Sequence, residues 1–354
     1  MRYSNMNILN KIKFESLGYK QAHYQAGLLE ENGITMYYHR TPLYFRDCQS
    51  PGKGIYFSNF FAWMGKIRES AMFPILNQIS DDFSDGDKGM ITNSSSIKIV
   101  GNAISGDVIE ARFGLAKIVN DSTLEIFFIW KKLLEDGSYQ DIAYGEMSVS
   151  WVNILSYGVI RLEPLPNYYN EFIDKIKAAD KKLPYVHQIV ENEFKSFTKG
   201  EKYYIAPIVP RRGKQLHEEI IKTTLEDGNS VGNIYFSNYS RWQGLVRDAF
   251  FYKINNIYFE NIGEEGELIV TDSSVSHLQE TMPFSTIQVS MNIIEIWDNS
   301  IELSFAYYRI DNDHKIKLAT GTQTVVWAKK DKNDHYLSSP FPKEYLEKLI
   351  SYVS

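Results

Sequence analysis

A block of eighteen residues occurs twice in the chain, as IYFSNFFAWMGKIRESAM at residues 55–72 and as IYFSNYSRWQGLVRDAFF at residues 234–251. Eight of the eighteen positions are identical, whereas composition alone predicts about one identity in such a window. The block is therefore an internal repeat, and a repeat has to be recognised before any fold is assigned to the chain.

The similarity between the two halves continues after both blocks. Residues 92–95 read TNSS where residues 271–274 read TDSS, and YGEMSVSW ends at Trp151 where TGTQTVVW ends at Trp327. A repeat of this extent indicates two domains, and 354 residues with 44% hydrophobic content are enough for two ordinary cores. We predict an N-terminal domain over residues 1–165, a linker with a short helix over 166–205, and a C-terminal domain over 206–354.

Each half has the same predicted order of elements. The repeated block carries apolar side chains at helical spacing, such as Trp242, Val246 and Phe250, which predicts a helix. Ser58 and Ser237, or the Asn that follows each, are candidate N-caps. Alternating runs such as DVIEARFGLAKI and TIQVSMNIIEIW come next and predict long antiparallel strands. The predicted fold is α+β, a tandem double hotdog in which each half is a long central helix wrapped by a curved antiparallel β-sheet.

Composition argues against several classes of function. A net charge of −6 and a pI near 5.7 give no general attraction to nucleic acid or to an anionic membrane. No stretch has the length and hydrophobicity of a membrane span or of a signal peptide, so we expect a cytoplasmic protein. The single Cys48 excludes an internal disulfide and a cysteine-based zinc site. The seven histidines, among them His217 and His277, have neither metal-binding spacing nor the flanking pattern of hotdog dehydratases. We therefore predict no metal and no cofactor.

The second half resembles the thioesterases of enediyne polyketide biosynthesis over nearly its whole length. The similarity is carried by NSVGNIYFSNY, which begins at Asn229, by the RWQGLVRD that follows, and by LATGTQTVVW. In that family the catalytic residues are an Asn before the helix and an Arg eighteen residues later, a spacing that Asn229 and Arg247 reproduce. The first half keeps Arg68 but has Ser50 in place of the Asn. The resemblance implies a hotdog hydrolase with a competent site in the second half and a degenerate one in the first.

The chemistry of these residue types agrees with that assignment. Thioester hydrolysis needs an attacking water and donors for the carbonyl oxygen, which becomes an oxyanion. Asn229 offers a neutral amide donor, and Arg247 offers a permanently charged fork of donors. The carboxylates Glu226 and Asp227 are the alternative base or nucleophile, as in many hotdog thioesterases. The residues predicted to contact the substrate are Tyr235, Asn238, Tyr239, Thr271, Ser273 and Arg68.

These features predict hydrolysis of acyl or β-ketoacyl thioesters on an acyl carrier protein or on CoA, in polyketide or fatty-acid-like biosynthesis. One alternative is a double-hotdog acyltransferase or decarboxylase in which Tyr235 or Tyr239 accepts the acyl group. Another is a non-catalytic module that binds acyl chains or carrier proteins. The predicted partners are a carrier protein or CoA thioester, with basic residues at 175–182 and 211–214 as contacts, and a second copy of the chain. Neither nucleic acid nor a membrane is an expected partner.

Overall fold

Fourteen strands and five α-helices are found in the residues that the computed structural model describes, which are 25–31, 33–49, 54–84, 86–156, 159–176, 202–205, 216–256, 266–312, 314–330 and 336–353. The first half contains β1 (Gln25–Glu31), β2 (Ile34–Pro42), α1 (Ser58–Ala71), α2 (Leu76–Ser84), β3 (Lys88–Ile99), β4 (Val108–Val119), β5 (Thr123–Leu133), β6 (Tyr139–Ser156), β7 (Val159–Leu162) and α3 (Tyr168–Ile176). The second half contains β8 (Lys202–Ile205), β9 (His217–Lys222), α4 (Ser237–Ile254), β10 (Glu267–His277), β11 (Thr286–Trp297), β12 (Ser300–Asp311), β13 (His314–Lys330), β14 (Tyr336–Ser338) and α5 (Lys343–Val353). The predicted α+β class, with few helices and a large antiparallel sheet, is confirmed.

All the described strands belong to one sheet. Its order is β1-β2-β4-β5-β6-β3-β10-β13-β12-β11-β8, with β7 beside β6, β9 beside β11 and β14 beside β13. The halves meet where β3 and β10 pair antiparallel, with Ser274 opposite Ser96. From this junction each half adds strands outward in the same order, β6, β5 and β4 on one side and β13, β12 and β11 on the other.

The helices α1 and α4 provide the apolar faces that the sheet covers. Phe60 and Met64 of α1 are buried one turn apart, as are Trp242 and Val246 of α4, which is the spacing of a helix face. Phe60 packs edge-on against Trp130 of β5 with ring centroids 5.2 Å apart. One connected apolar cluster contains side chains of both halves, and each large side chain buried in it stabilises the fold by about 1.5–3 kcal/mol.

Backbone hydrogen bonds define which residues of the two halves correspond. The N–H groups of residues 100 and 101 both donate to Ile142 O, and those of residues 278 and 279 both donate to Leu318 O. Residue 278 therefore corresponds to residue 100. The alignment of TNSS with TDSS is one residue out of this register, because Ser and Thr recur along both strands and their letters alone do not fix the pairing.

The starts of the two long helices differ from the predicted capping. Helices α1 and α4 begin after Phe57 and Phe236, and neither start has a side-chain cap. The Asn of each repeat donates to the preceding loop instead: Asn238 Nδ2 donates to Asp227 O at 2.8 Å, and the equivalent bond of Asn59 is also 2.8 Å. The predicted N-caps are therefore wrong, and each Asn fixes the loop before the helix against the helix.

The helices α1 and α4 also contact each other, and each accepts a tyrosine from the opposite half. A Cβ atom on Gly65 would lie 1.9 Å from Tyr235 Oη, and one on Gly244 would lie 2.1 Å from Tyr56 Oη. Any side chain at these positions would displace a tyrosine hydroxyl. The loop before each helix therefore reaches the helix of the other half, which decides the composition of the site described below.

The stretch predicted as a linker begins with a helix. The short amphipathic helix predicted there is α3, which packs on the first half through Tyr169, Phe172 and Ile176, with the Phe172 ring 6.0 Å from Phe113. Residues 177–201 and 206–215, which contain most of the predicted basic contacts, lie outside the described residues, as does Ser50. No bilayer-spanning candidate is found among the helices of the described ranges.

Candidate active site between the two halves

A cavity of about 120 Å³ lies where the two halves meet. The first half lines it with Arg68, residues 90–93 and Ile160, and the second half with Asn229, residues 233–236, Tyr239 and residues 277–281. The volume is that of about four water molecules. The cavity therefore has room for a reacting carbonyl and its surroundings, and a long substrate would extend beyond it.

Asn229 enters the cavity wall from the loop before α4, and this loop fixes its amide. Asn229 Oδ1 accepts the N–H of Val231 at 3.1 Å, and the Asn229 N–H donates to Asn233 O at 3.0 Å. Because the Val231 N–H needs an acceptor, the side-chain oxygen faces the turn and the Nδ2 group is left for the cavity. Asn229 is thus both a turn residue and a hydrogen-bond donor in the cavity wall.

Arg68 reaches the same cavity from α1. Its side chain is 12% exposed, its guanidinium lies 5.4 Å from the centroid of the Phe236 ring, and it donates to Met147 Sδ at 3.4 Å. Its nearest carboxylate oxygen, on Glu69, is 3.8 Å away, beyond hydrogen-bond distance. Arg68 also hydrogen-bonds to the Tyr235 phenol. A guanidinium has five N–H donors and a thioether is a weak acceptor, so donors of Arg68 remain available for a carbonyl oxygen or an anion.

Two tyrosines form walls of the cavity. Tyr235 donates its hydroxyl to Glu69 Oε1 at 2.7 Å. Burial raises the pKa of the Tyr235 phenol, which disfavours the phenolate that an attack on an acyl group would require. Tyr239 is 3% exposed, its carbonyl accepts the hydroxyl of Tyr307 at 2.9 Å, and its ring packs edge-on against His277 with centroids 4.7 Å apart.

His277 brings a buried nitrogen to the cavity. Its Nε2 atom is buried and has no hydrogen-bond partner among the described residues, although part of the residue is accessible. Burial lowers the pKa of His277 to about 4, so the imidazole is neutral at pH 7. A buried nitrogen without a hydrogen-bond partner lowers the stability of the fold by about 1–3 kcal/mol. A neutral imidazole can donate a hydrogen bond to a bound ligand or accept one from it.

The buried imidazole predicts a pH-dependent stability. Because the pKa of His277 falls from 6.5 to about 4 on folding, the unfolded chain binds a proton between these values that the folded chain does not bind. The free energy of unfolding should therefore decrease as the pH falls from about 6.5 to about 4, by up to about 3 kcal/mol. Urea denaturation at pH 7 and pH 4.5 measures this loss, which we expect to be smaller in His277→Gln. An exposed control, His314→Gln, should keep the wild-type loss; equal losses in wild type and His277→Gln would contradict the burial argument.

A carboxylate lines the cavity beside an asparagine. Glu280 Oε1 accepts the Nδ2 group of Asn233 at 2.8 Å. Burial raises the pKa of Glu280, and this hydrogen bond offsets part of the increase. Asn233 Oδ1 is buried and has no partner within the ranges that the structure describes.

The corresponding place in the fold, beside Arg247, has a different set of side chains. The Gln49 N–H donates to Gly54 O at 2.8 Å, which is the bond that Asn229 makes to Asn233. By this hydrogen bond Gln49 corresponds to Asn229. Four polar side chains of the cavity are replaced at the corresponding positions by residues without the same functional group. The replacements are Gly54 for Asn233, Ile99 for His277, Asn102 for Glu280 and Phe60 for Tyr239.

Arg247 does not line the cavity. It is 5% exposed and donates to Asp248 Oδ1 at 2.7 and 2.8 Å and to Gln323 Oε1 at 3.1 Å. Its guanidinium lies 4.9 Å from the centroid of the Phe57 ring. The predicted pairing of Asn229 with Arg247 in one site is thus corrected: Asn229 shares its cavity with Arg68, because each loop meets the helix of the other half.

Three predicted substrate contacts also lie elsewhere. Thr271 and Ser273 are each 2% exposed, and Ser273 donates to Gln243 Oε1 at 2.7 Å inside the second half. The amide of Asn238 is occupied by the Asp227 carbonyl. The cavity is instead lined by β3 through residues 90–93, together with Ile160 of β7 and His277 at the end of β10.

The two carboxylates considered as an alternative base are not in the cavity wall. Asp227 accepts the Thr224 N–H at 2.8 Å and forms an ion pair with Arg241, so its side chain closes the loop before α4. Glu226 is exposed. Three residues of the cavity wall, Asn233, His277 and Glu280, were not predicted as site residues from the sequence. These residues can be recognised because each differs from the residue at the corresponding position of the first half. The alignment that pairs these positions is defined by backbone hydrogen bonds, which the sequence does not show.

Comparisons with known proteins agree with this fold. The model of the Thioesterase-like superfamily matches residues 223–349. A putative oleoyl thioesterase from Lactobacillus plantarum aligns with a TM-score of 0.57 at 12% identity, covering 84% of this chain and 98% of its own. The 12:0-ACP thioesterase from Umbellularia californica aligns with a TM-score of 0.56 at 9% identity, covering 84% and 100%. An acyl-ACP thioesterase from Bacteroides thetaiotaomicron aligns with a TM-score of 0.52 at 10% identity, covering 82% and 97%. No curated protein matches the chain. At these identities the likeness shows the fold that the chain shares with these thioesterases.

Proposed function

We propose that the chain hydrolyses acyl thioesters carried by an acyl carrier protein or by CoA. The observation that carries the proposal is that Asn229 and Arg68 line one cavity, a neutral donor from one half and a cation from the other. Thioester hydrolysis places negative charge on the carbonyl oxygen, and these two groups are donors for that charge.

The mechanism follows from the donors. The carbonyl oxygen accepts hydrogen bonds from the Asn229 amide and the Arg68 guanidinium. When water adds to the carbonyl carbon the oxygen becomes an oxyanion, which these donors bind more strongly than the carbonyl. The start of α4 adds the positive end of a helix dipole, since Phe236 lines the cavity at that end. The intermediate then expels the thiol and leaves a carboxylic acid.

The shared fold and the cavity size support this reaction class. Two of the structures that align over more than four fifths of this chain are named as acyl-ACP thioesterases, and the matched family model covers the loop that supplies Asn229. The volume of about 120 Å³ accommodates the thioester group. Apolar side chains of the lining, such as Met90 and Ile91, are suited to the first carbons of the acyl chain.

The finer architecture and setting are also part of the proposal. The chain is a tandem double hotdog, with domains over residues 1–165 and 206–354 joined by 166–205, and it acts in the cytoplasm in polyketide or fatty-acid-like biosynthesis. The sequence repeat and the matching strand order on both sides of β3 and β10 support the architecture. The resemblance of NSVGNIYFSNY to enediyne thioesterases supports the setting.

One assay tests the proposed reaction. The purified chain is incubated with hexanoyl-CoA, decanoyl-CoA and benzoyl-CoA, and with a carrier protein bearing the same acyl groups, while free thiol and the intact protein mass are followed together. We expect thiol release with no lasting mass increase, because the raised pKa of Tyr235 opposes acyl transfer to its oxygen. A stable acyl adduct, or binding without thiol release from any of these thioesters, would contradict hydrolysis.

A further inference from the structure

The cavity contains a second set of polar groups that binding of the carbonyl does not use. Glu280 and Asn233 line it together with Asn229 and Arg68. Asn233 joins the two sets, because its side chain donates to Glu280 and its carbonyl accepts the Asn229 N–H. The segment that carries Glu280 is also fixed to this loop, since the Ile234 N–H donates to Thr281 O at 2.8 Å.

We propose that Glu280 is the general base of the hydrolysis and that Asn233 holds both this carboxylate and the attacking water. This inference rests on the proposed function. The Asn233 amide binds Glu280 Oε1, which leaves Oε2 for the water. The buried Asn233 Oδ1, unpaired among the described residues, is the second acceptor. A water molecule donates two hydrogen bonds, so these two oxygens direct its lone pair to a carbonyl held by Asn229 and Arg68.

The other titratable side chains of the cavity are less suited to the task. Arg68 is a cation, and Tyr235 and Tyr239 are phenols. His277 is a weak base, because burial lowers its pKa to about 4. Burial raises the pKa of Glu280, which brings its basicity closer to neutral pH, where a general base is most effective.

The corresponding place beside Arg247 supports the same assignment. Asn102 takes the position of Glu280 and cannot accept a proton at neutral pH. A Cβ on Gly54, at the position of Asn233, would lie 2.4 Å from Asn102 Oδ1, so the side chain of Asn102 fills the space where the carboxylate and its amide partner lie in the other site. The carboxylate of Glu280 therefore has no equivalent at the corresponding position beside Arg247, where the residue is Asn102.

The step is balanced without a further reactant. The water oxygen forms a bond to the carbonyl carbon while one water proton passes to Glu280. The intermediate then breaks the carbon–sulfur bond, and the proton on Glu280 passes to the leaving sulfur. The products are a carboxylic acid and a free thiol, and Glu280 returns to the carboxylate.

The test uses the full chain and the three acyl-CoA thioesters named above. Glu280→Gln retains an oxygen that accepts from Asn233 and loses only the basicity, so we expect kcat to fall on the order of 100-fold while KM changes less than about threefold. In the wild type, kcat/KM should decrease at acid pH as Glu280 becomes protonated. Asn233→Ala removes a hydrogen bond that favours the carboxylate, so this decrease should move to higher pH. Asn102→Ala is the matched control and should retain the wild-type kcat and pH profile.

The outcomes distinguish the role proposed for Glu280 from the proposed thioester hydrolysis. If wild type and Glu280→Gln both hydrolyse the thioesters with the same kcat and the same acid decrease, Glu280 is not the base and the hydrolase proposal stands. If the wild type hydrolyses none of them, both proposals fail. Circular dichroism and thermal unfolding of each variant establish that a loss of kcat is measured on folded protein. A kcat loss in Asn233→Ala without any shift of the pH profile would overturn the role given to Asn233.

Discussion

Replacing Arg68 by methionine is expected to lower kcat for thioester hydrolysis by a factor on the order of 10²–10³. Arg68 is the cation that lines the cavity with Asn229. Its polar contacts in the described part of the chain include a thioether at 3.4 Å, the phenol of Tyr235, and a carboxylate oxygen at 3.8 Å. A methionine of similar length keeps the packing against Phe236 and removes the charge and the donors. Steady-state kinetics with the acyl-CoA substrates measure the loss.

The matched control is Arg247→Met, at the corresponding position of the second helix. The Arg247 guanidinium is a donor to Gln323, which is 2% exposed, so its removal leaves a buried amide short of a partner at a cost of about 1–3 kcal/mol. We expect lower stability in urea denaturation and a kcat within about threefold of wild type, as for a residue outside the reacting centre. A greater kcat loss in folded Arg247→Met than in Arg68→Met would place the reaction beside Arg247.

The elements of the fold were predictable from the sequence because their signals are local. Helix α4 was predicted from Trp242, Val246 and Phe250, and these residues all lie on it. The alternating runs DVIEARFGLAKI and TIQVSMNIIEIW form the strands β4 and β11. Both periodicities follow from the geometry of one element buried on one side, so neither depends on how the halves are arranged.

The pairing within the site was not predictable by the same means. The resemblance to the enediyne thioesterases implied that Asn229 and Arg247 share one site, whereas the structure places Asn229 with Arg68. The docking of one half on the other decides which loop meets which helix. The repeat does contain a trace of this arrangement. Both blocks contain the same Tyr and the same Gly, and in the structure the Tyr of each block lies against the Gly of the other: Tyr235 against Gly65, and Tyr56 against Gly244.

Replacing Asn229 by aspartate is expected to lower kcat on the order of 10²–10³ with little change in stability. The aspartate carboxylate would still offer an oxygen to the Val231 N–H, which Asn229 Oδ1 accepts at 3.1 Å, so the loop keeps its turn. The donor in the cavity is replaced by a negative charge that repels the forming oxyanion, and loss of a single oxyanion donor already costs a factor on the order of 10²–10³. Kinetics and urea denaturation of the same protein samples measure the two effects separately.

An alanine at the same position separates catalysis from turn formation, because it removes the donor without adding a charge and also removes the acceptor for the Val231 N–H. We therefore expect kcat to decrease in the order Asn, Ala, Asp, while the free energy of unfolding is similar for Asn and Asp and lower by about 0.5–1.5 kcal/mol for Ala. If Asn229 served only the turn, Asp would keep the wild-type kcat and Ala would be the damaged variant. Gln49→Glu, at the corresponding position of the first half, should leave kcat unchanged, because Gln49 is not among the residues that line the cavity.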